Sequence, residues 1–250
     1  METVFQKTAL LSDAQFHYCP GCTHGVIHRL VAESIEELGL ADRTIAVAPV
    51  GCALYCYDYF ELDIIVAAHG RAPAVATGAK RAEPGKILFT YQGDGDLASI
   101  GCSEINYAAI RGEKITTIFV NNAIYGMTGG QMSPTTLPGQ KATTAPYGRD
   151  VETAGWPIRV CEMLATHEGS YYLERVALDT TANIRKAKSA IKKAFQYQAE
   201  NKGFNLVEVL STCPTNWGLS PSESMSFVRE QMIPYFQLGT FKDKGAKGHV

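Results

Sequence analysis

Short apolar segments rich in β-branched residues alternate along this chain with amphipathic segments of helical spacing. Several of the β-rich segments are apolar almost throughout, which is typical of strands buried on both faces of a parallel sheet. Apolar stripes at residues 26–38 and 184–195 predict helices between such strands. The alternation therefore predicts a doubly wound α/β fold with a mostly parallel sheet, in which ligands bind beyond the carboxyl ends of the strands. Strands are predicted at 44–50, 87–91, 115–120, 172–178 and 205–210, with a weaker candidate at 63–68.

The composition is typical of a globular protein with a large core. Of 250 residues, 46% are apolar and 19% are charged, and the net charge of −2 gives no reason to expect a nucleic-acid partner. No apolar run approaches the roughly 18 residues of a membrane-spanning helix. Residues 1–13 lack the basic start and the apolar stretch of a secretory signal. We therefore expect a cytoplasmic protein without a membrane partner, with a single domain at 1–240 and a basic, frayed tail at 241–250.

Gly93-Asp94-Gly95-Asp96 follows the strand predicted at 87–91 and precedes a helix-compatible stretch at 100–111. Glycines let the backbone approach a bound group, and the N-terminus of a following helix favours an anion. The next predicted strand leads into Asn121-Asn122, so that Asp94 and Asn122 both follow strand ends that converge in a parallel sheet. Their oxygens are hard ligands that suit Mg²⁺. Taken singly, each motif is more often a β-turn that caps a strand.

The seven cysteines are an odd number, and in a reducing compartment their spacing indicates metal or redox chemistry rather than structural disulfides. Cys19-Pro20-Gly21-Cys22 leaves three interpretations open. A thioredoxin-like pair lacks a preceding strand here, and a zinc ribbon needs a second C-x-x-C pair. The third interpretation is an iron–sulfur cluster completed by Cys52 and Cys213, which follow predicted strands. The other cysteines are expected to be core residues: Cys56, Cys102 and Cys161.

Five motifs occur together between about residues 15 and 235: Tyr18-Cys19-Pro20-Gly21-Cys22, His69-Gly70-Arg71-Ala72, Gly93-Asp94-Gly95-Asp96, Tyr125-Gly126-Met127-Thr128-Gly129-Gly130-Gln131 and Cys213-Pro214-Thr215-Asn216-Trp217. The set resembles the β subunits of 2-oxoacid:ferredoxin oxidoreductases, above all those for 2-oxoisovalerate and 2-oxoglutarate. The G-D-G and N-N pair is also similar to the motif of thiamine-diphosphate-dependent enzymes. The resemblance implies the diphosphate-type domain of the thiamine-diphosphate-binding fold.

The resemblance also implies roles for individual residues. Asp94, Asn122 and the backbone carbonyl of Ile124 would bind Mg²⁺, while Cys19, Cys22, Cys52 and Cys213 would hold one [4Fe–4S] cluster. His69 and Arg71 are implied on the substrate side, although a salt-bridge pair within a loop is an equal alternative. Glu104 is interpreted as structural. Thiamine diphosphate would lie against Gly93, Asp94, Gly95, Asp96, Asn122, Ile124, Tyr125, Gly126, Met127 and Thr128.

The activity implied by the resemblance is oxidative decarboxylation of a 2-oxoacid with coenzyme A, giving acyl-CoA, CO₂ and reduced ferredoxin. Only one diphosphate-type domain is recognisable, so a larger α subunit is expected to supply the aminopyrimidine site, alone or with further small subunits. A non-oxidative decarboxylase or synthase subunit would not need the four cysteines. An iron–sulfur electron-transfer subunit would not need Asp94 and Asn122.

The loop after the expected magnesium ligands bears on the substrate. Residues 124–131 contain no Lys or Arg, and Met127 offers an adaptable apolar wall. A second carboxylate on the substrate would need a cationic partner if desolvated, because an unpaired buried charge is costly. The loop therefore favours a branched-chain substrate such as 2-oxoisovalerate over 2-oxoglutarate, with pyruvate as a further alternative.

Overall fold

One seven-stranded sheet organises the computed structural model, which describes residues 6–246. The strands lie in the order β2-β1-β3-β4-β6-β5-β7, and every neighbouring pair is parallel except β5 and β7. Their bounds are β1 Thr44–Ala48, β2 Asp63–Val66, β3 Ile87–Gly93, β4 Thr116–Asn121, β5 Ser170–Ala177, β6 Phe204–Leu210 and β7 Gly239–Asp243. The predicted strands, including the weaker candidate, are confirmed.

Helices connect the strands and cover both faces of the sheet. They are α1 His24–Glu37, α2 Cys56–Tyr59, α3 Ala72–Ala82, α4 Cys102–Arg111, α5 Val151–Ala154, α6 Val160–Ala165, α7 Thr181–Ala199, α8 Pro214–Trp217, α9 Pro221–Phe227 and α10 Ile233–Tyr235. Short 3₁₀ turns lie at Ala41–Arg43 and Cys52–Tyr55, and π-helical turns at Gly95–Ile100 and Val228–Met232.

Each face of the sheet has its own core. On one face, α1 and α7 bury apolar side chains such as Ile35 and Ile191 against Phe89 and Ile118. On the other face, α3, α4 and α6 pack against residues such as Phe119. Since buried strands feed helices on both faces, the doubly wound α/β fold predicted from the alternating pattern is confirmed.

The prediction of a frayed tail from residue 241 is wrong for its first residues. Phe241 to Asp243 belong to β7, which pairs antiparallel with β5. Asp243 is held by an ion pair with Lys193 and by the hydroxyl of Tyr197, which donates at 2.9 Å. Residues 247–250 of the expected tail lie outside the described residues, as do residues 1–5 of the segment considered as a signal.

The connections after β1 and β3 leave the sheet in opposite directions. The chain runs from β1 to β2 on one side, and from β3 to β4 on the other. Ligands of open α/β sheets bind in the crevice at such a switch point, beyond the carboxyl ends of the strands. In the part of the chain that the structure describes, no helix combines the length and the apolar character that a membrane crossing requires.

Candidate active site

A cavity occupies the crevice at the switch point. Its walls come from the segment after β1 at 50–53, the turn after β3 at 93–96 and the segment after β4 at 122–128. Every residue predicted to contact the cofactor lies in this lining, as do His69 and Cys52. The structure therefore brings together residues from separate segments between positions 50 and 128 of the sequence.

Asp94 lies at the bottom of the cavity and is buried. Its Oδ1 accepts a hydrogen bond from the amide of Gly95 at 2.8 Å, and its Oδ2 accepts from the amide of Ile124 at 3.1 Å. The hydroxyls of Ser133 and Thr135 also donate to Oδ2, at 2.9 and 2.5 Å. Burial raises the pKa of Asp94 from its usual 3.8 to about 6, although these hydrogen bonds oppose the shift. A cation bound nearby would stabilise the charged form of this buried carboxylate.

Asn122 supplies the observation that tests a cation site. Its side-chain Oδ1 is buried and has no hydrogen-bond partner in the described structure, which is unusual for a buried oxygen. No Lys or Arg belongs to the cavity lining among residues 6–246. A carboxylate, an orphaned amide oxygen and the nearby backbone suit Mg²⁺, which takes few protein ligands and completes its shell with phosphates and water. The residues present therefore fit the metal.

Glycines allow close approaches around this cavity. A Cβ on Gly95 would lie 2.1 Å from the ring of Tyr125, and one on Gly70 would lie 2.6 Å from the amide nitrogen of Gly101. The first contact packs the loop after β4 onto the turn after β3. The second joins the start of α3 to the π-helical turn that leads into α4. The N-terminus of this helical stretch favours an anion such as a diphosphate.

His69 is held by Asp96 at the side of the cavity. The imidazole Nδ1 lies 2.6 Å from Oδ1 of Asp96, which also accepts from the amide of Gly70 at 2.8 Å. Gln92 donates to the other carboxylate oxygen at 2.7 Å. Because the carboxylate accepts, Nδ1 carries the proton and Nε2 remains for a ligand. Asp96 was predicted to touch the cofactor, but both its oxygens are engaged within the chain.

The prediction of Arg71 on the substrate side requires correction. Its guanidinium pairs with Glu104 and lies near the carbonyl of Ile100, and Arg71 is absent from the cavity lining. The opposite charge on α4 draws the side chain away from the cavity. Glu104 has the structural role interpreted from the sequence.

The predicted cluster cysteines lie beside the cavity. A Cβ on Gly126 would lie 3.3 Å from Sγ of Cys52 and 3.5 Å from Sγ of Cys213. The turn of Cys19 and Cys22 is tied to the segment before Cys213, since the hydroxyl of Thr212 donates to the carbonyl of Gly21 at 2.7 Å. Residues from three distant parts of the sequence thus meet at one end of the sheet.

The same thiols influence one another's pKa values. Burial raises the pKa of Cys22 to about 12, and Cys213, Cys52 and Cys19 contribute to the increase. Burial also raises the pKa of Cys52 to about 11, with contributions from Cys213 and Cys19. The other cysteines have different neighbours: their pKa values are raised by burial and by Asp58 for Cys56, Glu104 for Cys102 and Glu208 for Cys161.

Four thiols are the donor set that a [4Fe–4S] cluster uses. Among residues 6–246, no three His, Cys, Asp or Glu side chains are arranged to hold one metal ion. A [4Fe–4S] cluster presents four separate iron atoms, each bound by one thiolate, so its ligands need not meet at one point. Cys22, Cys52 and Cys213 are half-buried and Cys19 is exposed, so all four thiols are accessible to such a group.

Several residues at the site escaped the sequence analysis. His24 lines the cavity, and its Nδ1 lies 2.6 Å from the hydroxyl of Tyr91. Ser133 and Thr135, which bind Asp94, belong to the long loop at 126–156 that has no periodicity. The guanidinium of Arg149 orders this loop by donating to the carbonyls of Ser133, Pro134 and Thr136. Only the length and composition of the loop signalled a function.

Comparison with known proteins agrees with this geometry. A sequence model described as "Thiamine pyrophosphate enzyme, C-terminal TPP binding domain" matches residues 52–209. That range includes Asp94 and Asn122 but ends before Cys213. The 2-oxoglutarate synthase subunit KorB of Methanocaldococcus jannaschii is 39% identical over 222 residues, which cover 86% of this chain and 78% of that protein.

The chain belongs to the thiamine-diphosphate-binding subunits of the 2-oxoacid:ferredoxin oxidoreductase family. Another member, the ketoisovalerate oxidoreductase subunit VorA of Methanothermobacter marburgensis, is 46% identical over 247 residues. That match covers 99% of this chain and 52% of VorA, so the chain spans about half the length of this relative.

A solved structure in the family has the same fold. It is a 2-oxoglutarate:ferredoxin oxidoreductase from Magnetococcus marinus with 2-oxoglutarate, coenzyme A and succinyl-CoA bound. The TM-score is 0.77 at 25% identity, and the match covers 98% of this chain and 87% of that one.

The raised pKa of Asp94 predicts a pH-dependent stability of the metal-free chain. The protonated carboxyl of Asp94 is favoured in the folded state. Its contribution to the free energy of unfolding is fully present below pH 3.8, the usual pKa, and is lost as the pH rises through about 6, the pKa in the folded chain. At about 1.4 kcal/mol per pKa unit, the carboxyl should destabilise the metal-free protein by roughly 3 kcal/mol at pH 7. Denaturant unfolding of thiamine-free, magnesium-free protein at about pH 4 and 7 tests this, with Asp94→Asn as the reference. If the free energies of unfolding of the two proteins differ by the same amount at both pH values, the raised pKa of Asp94 is contradicted.

Proposed function

We propose that this chain is the catalytic half-site of a coenzyme A-acylating 2-oxoacid:ferredoxin oxidoreductase, which converts a 2-oxoacid to acyl-CoA, CO₂ and reduced ferredoxin. The observation that carries the proposal is the proximity of two sites within one chain. Gly126 and Cys52 both line the cavity, and a Cβ built on Gly126 would lie 3.3 Å from Sγ of Cys52 and 3.5 Å from Sγ of Cys213. An electron acceptor therefore lies beside the position proposed for the cofactor.

When bound, thiamine diphosphate would supply the nucleophilic carbon and the electron sink for decarboxylation, and a cluster would supply a one-electron acceptor. Asp94, Asn122 and the carbonyl of Ile124 would hold Mg²⁺, whose charge would offset that of the diphosphate. The amides at Gly95 and Asp96 lie where the helical stretch begins and favour the phosphate charge. Tyr125, packed on Gly95, shields this end of the site from water.

His69 is the side chain that moves or holds a proton in this half-site. Asp96 orients its ring through Nδ1, which leaves Nε2 as an acceptor in the neutral imidazole. Because His69 lies in the cavity lining and is partly exposed, a substrate oxygen can reach Nε2. Arg71, paired with Glu104, contributes to the fold of this segment instead.

The cysteines provide the electron path. Cys52 and Cys213 face the cofactor side through Gly126, whereas Cys19 is exposed. Asn216 donates to Sγ of Cys213 at 3.2 Å and to the carbonyl of Gly126 at 2.8 Å, which joins the cluster ligand to the cofactor loop. A non-oxidative thiamine-dependent subunit would have no use for this arrangement.

A partner subunit completes the active site. The described residues form one α/β unit, and the ketoisovalerate oxidoreductase relatives are about twice as long as this chain. A larger α subunit would supply the aminopyrimidine pocket and its glutamate, with further small subunits possible in the assembly. Ferredoxin and coenzyme A are the remaining partners.

The substrate proposed is 2-oxoisovalerate or another branched-chain 2-oxoacid. The cavity lining contains Met127 and, among the described residues, no Lys or Arg to pair with a second substrate carboxylate. The 46% identity to a ketoisovalerate oxidoreductase subunit favours the same choice. 2-Oxoglutarate is the alternative, because relatives named 2-oxoglutarate synthase are 39% identical or less, and pyruvate follows.

Steady-state kinetics of the enzyme assembled with its α subunit test both the class and the substrate. With coenzyme A and ferredoxin present, we expect turnover with the highest kcat/KM for 2-oxoisovalerate, and no turnover by the isolated chain. A kcat/KM for 2-oxoglutarate at least about tenfold above the others, roughly 1.4 kcal/mol, would contradict the substrate. Turnover by the isolated chain would contradict the shared site.

A further inference from the structure

Two charged residues face each other on neighbouring strands of the sheet. Arg175 on β5 and Glu208 on β6 are paired in register, and both side chains are fully buried. The Nε of Arg175 lies 2.8 Å from Oε2 of Glu208, close enough for an ion pair although not aligned as a hydrogen bond. Glu162, which is partly exposed, accepts from the same guanidinium at 2.5 and 3.0 Å. Buried ion pairs are in general weak stabilisers of a fold.

Glu208 determines which way the side chain of Asn121 points. The Nδ2 of Asn121 donates to Oε1 of Glu208 at 2.8 Å, and Asn121 is fully buried at the end of β4. Because a carboxylate only accepts, the amide must turn its nitrogen toward Glu208 and its oxygen away. That oxygen accepts from the backbone amide of Ala123 at 3.1 Å.

Ala123 has a left-handed backbone, with φ of 55°, which is unusual for a residue other than glycine. Its amide is held by Asn121, and its carbonyl accepts from Thr136 at 2.7 Å and from Gln140 at 3.2 Å. The turn at Ala123 separates Asn122, whose Oδ1 is orphaned, from Ile124, whose amide binds Asp94. Its conformation thus sets the positions of the proposed magnesium ligands.

We propose that Arg175 and Glu208 are a positioning pair for the magnesium–diphosphate site, acting through Asn121 on the left-handed turn at Ala123. The inference rests on the proposed function, which assigns Asn122 and Ile124 to the metal. Arg175 pairs with Glu208 inside the sheet. Glu208 then gives Asn121 one orientation, and Asn121 stabilises the backbone conformation that the metal ligands require. Outer partners of metal ligands act in the same way in other sites.

The variant Glu208→Gln reverses one hydrogen bond without changing the shape of the side chain. Arg175 only donates, so the new amide turns its oxygen toward Arg175 and its nitrogen toward Asn121. Two donors then face each other, Asn121 rotates, and the amide of Ala123 loses its acceptor. We expect the affinity for Mg²⁺–thiamine diphosphate to fall about 10- to 100-fold, measured by isothermal titration into the assembled, thiamine-depleted enzyme.

A second substitution distinguishes positioning from a general loss of stability. In Glu208→Gln with Asn121→Asp, donor and acceptor are exchanged, because an aspartate accepts from the new amide and from Ala123. This double variant should recover most of the lost affinity. Glu162→Gln is the matched control, since it removes the other carboxylate on Arg175 without touching Asn121, and it should bind like the unaltered enzyme.

The outcomes separate this inference from the proposed function. If the unaltered enzyme binds Mg²⁺–thiamine diphosphate and Glu208→Gln binds it equally well, the positioning pair is wrong and the proposed function stands. A double variant that binds no better than Glu208→Gln, or an equal loss of affinity in Glu162→Gln, also overturns the inference.

If Glu208→Gln does not fold, Asn121→Ala leaves the ion pair intact and should show the same loss of affinity. Full affinity in Asn121→Ala overturns the inference. If the unaltered enzyme does not bind, the proposed function itself fails.

Discussion

Replacing Asp94 with alanine is expected to abolish retention of thiamine diphosphate and Mg²⁺ while the visible spectrum of the cluster stays intact. The carboxylate is buried and lines the same cavity as Asn122, so its loss would leave a divalent cation with neutral ligands only. The partial positive charge at the N-terminus of a helix is too small to replace the divalent cation as a partner of the diphosphate. We expect the affinity for the magnesium complex to fall at least about 100-fold, close to 2.7 kcal/mol.

Thiamine and magnesium contents of protein purified without added cofactor measure this effect. Asp63→Ala serves as the control, because Asp63 is an exposed carboxylate on the edge strand β2. It should retain both cofactors. An Asp94→Ala protein with the cofactor content of the unaltered chain would remove the basis for the magnesium site.

Serine at Cys19, Cys22, Cys52 or Cys213 is expected to cost the chain its cluster, from about four irons per chain to nearly none. These four thiols come from three separate segments of the sequence, which meet only in the folded chain. Serine at Cys56, Cys102 or Cys161 should leave the iron content unchanged, because burial and carboxylates surround those thiols.

The second group of cysteines is the internal control, since each variant makes the same chemical change elsewhere in the fold. Iron analysis and visible absorption of anaerobically purified protein are the measurements. Loss of iron in Cys56→Ser together with its retention in Cys213→Ser would move the fourth ligand to α2.

The sheet could be predicted because its parallel strands are buried on both faces, and burial leaves continuous apolar runs in the sequence. β7 left no such signal. It pairs with β5 alone, at the edge of the sheet, and Gly239 and Thr240 remain exposed. An edge strand that is largely exposed needs no continuous apolar run. For that reason the sequence predicted a tail where β7 lies.

The candidate site was predictable where motifs follow strand ends, as at Asp94, Asn122 and Cys213. Long-range partners were not. Ser133 and Thr135 reach Asp94 from an irregular loop, and Glu104 draws Arg71 away from the cavity. The link from Glu208 to Asn121 joins residues on neighbouring strands. Contacts of this kind depend on register and loop geometry, which periodicity does not encode.

The central claim is that one chain carries the thiamine diphosphate site and the electron acceptor that serves it. Electron paramagnetic resonance of the anaerobically assembled enzyme, mixed with 2-oxoisovalerate in the absence of coenzyme A and ferredoxin, tests it most directly. We predict the signal of a reduced [4Fe–4S] cluster on substrate addition in the unaltered enzyme, and no such signal in Asp94→Ala. Release of CO₂ from the substrate by an enzyme with full thiamine content, but without iron in this chain or any reduced-cluster signal, would contradict the account.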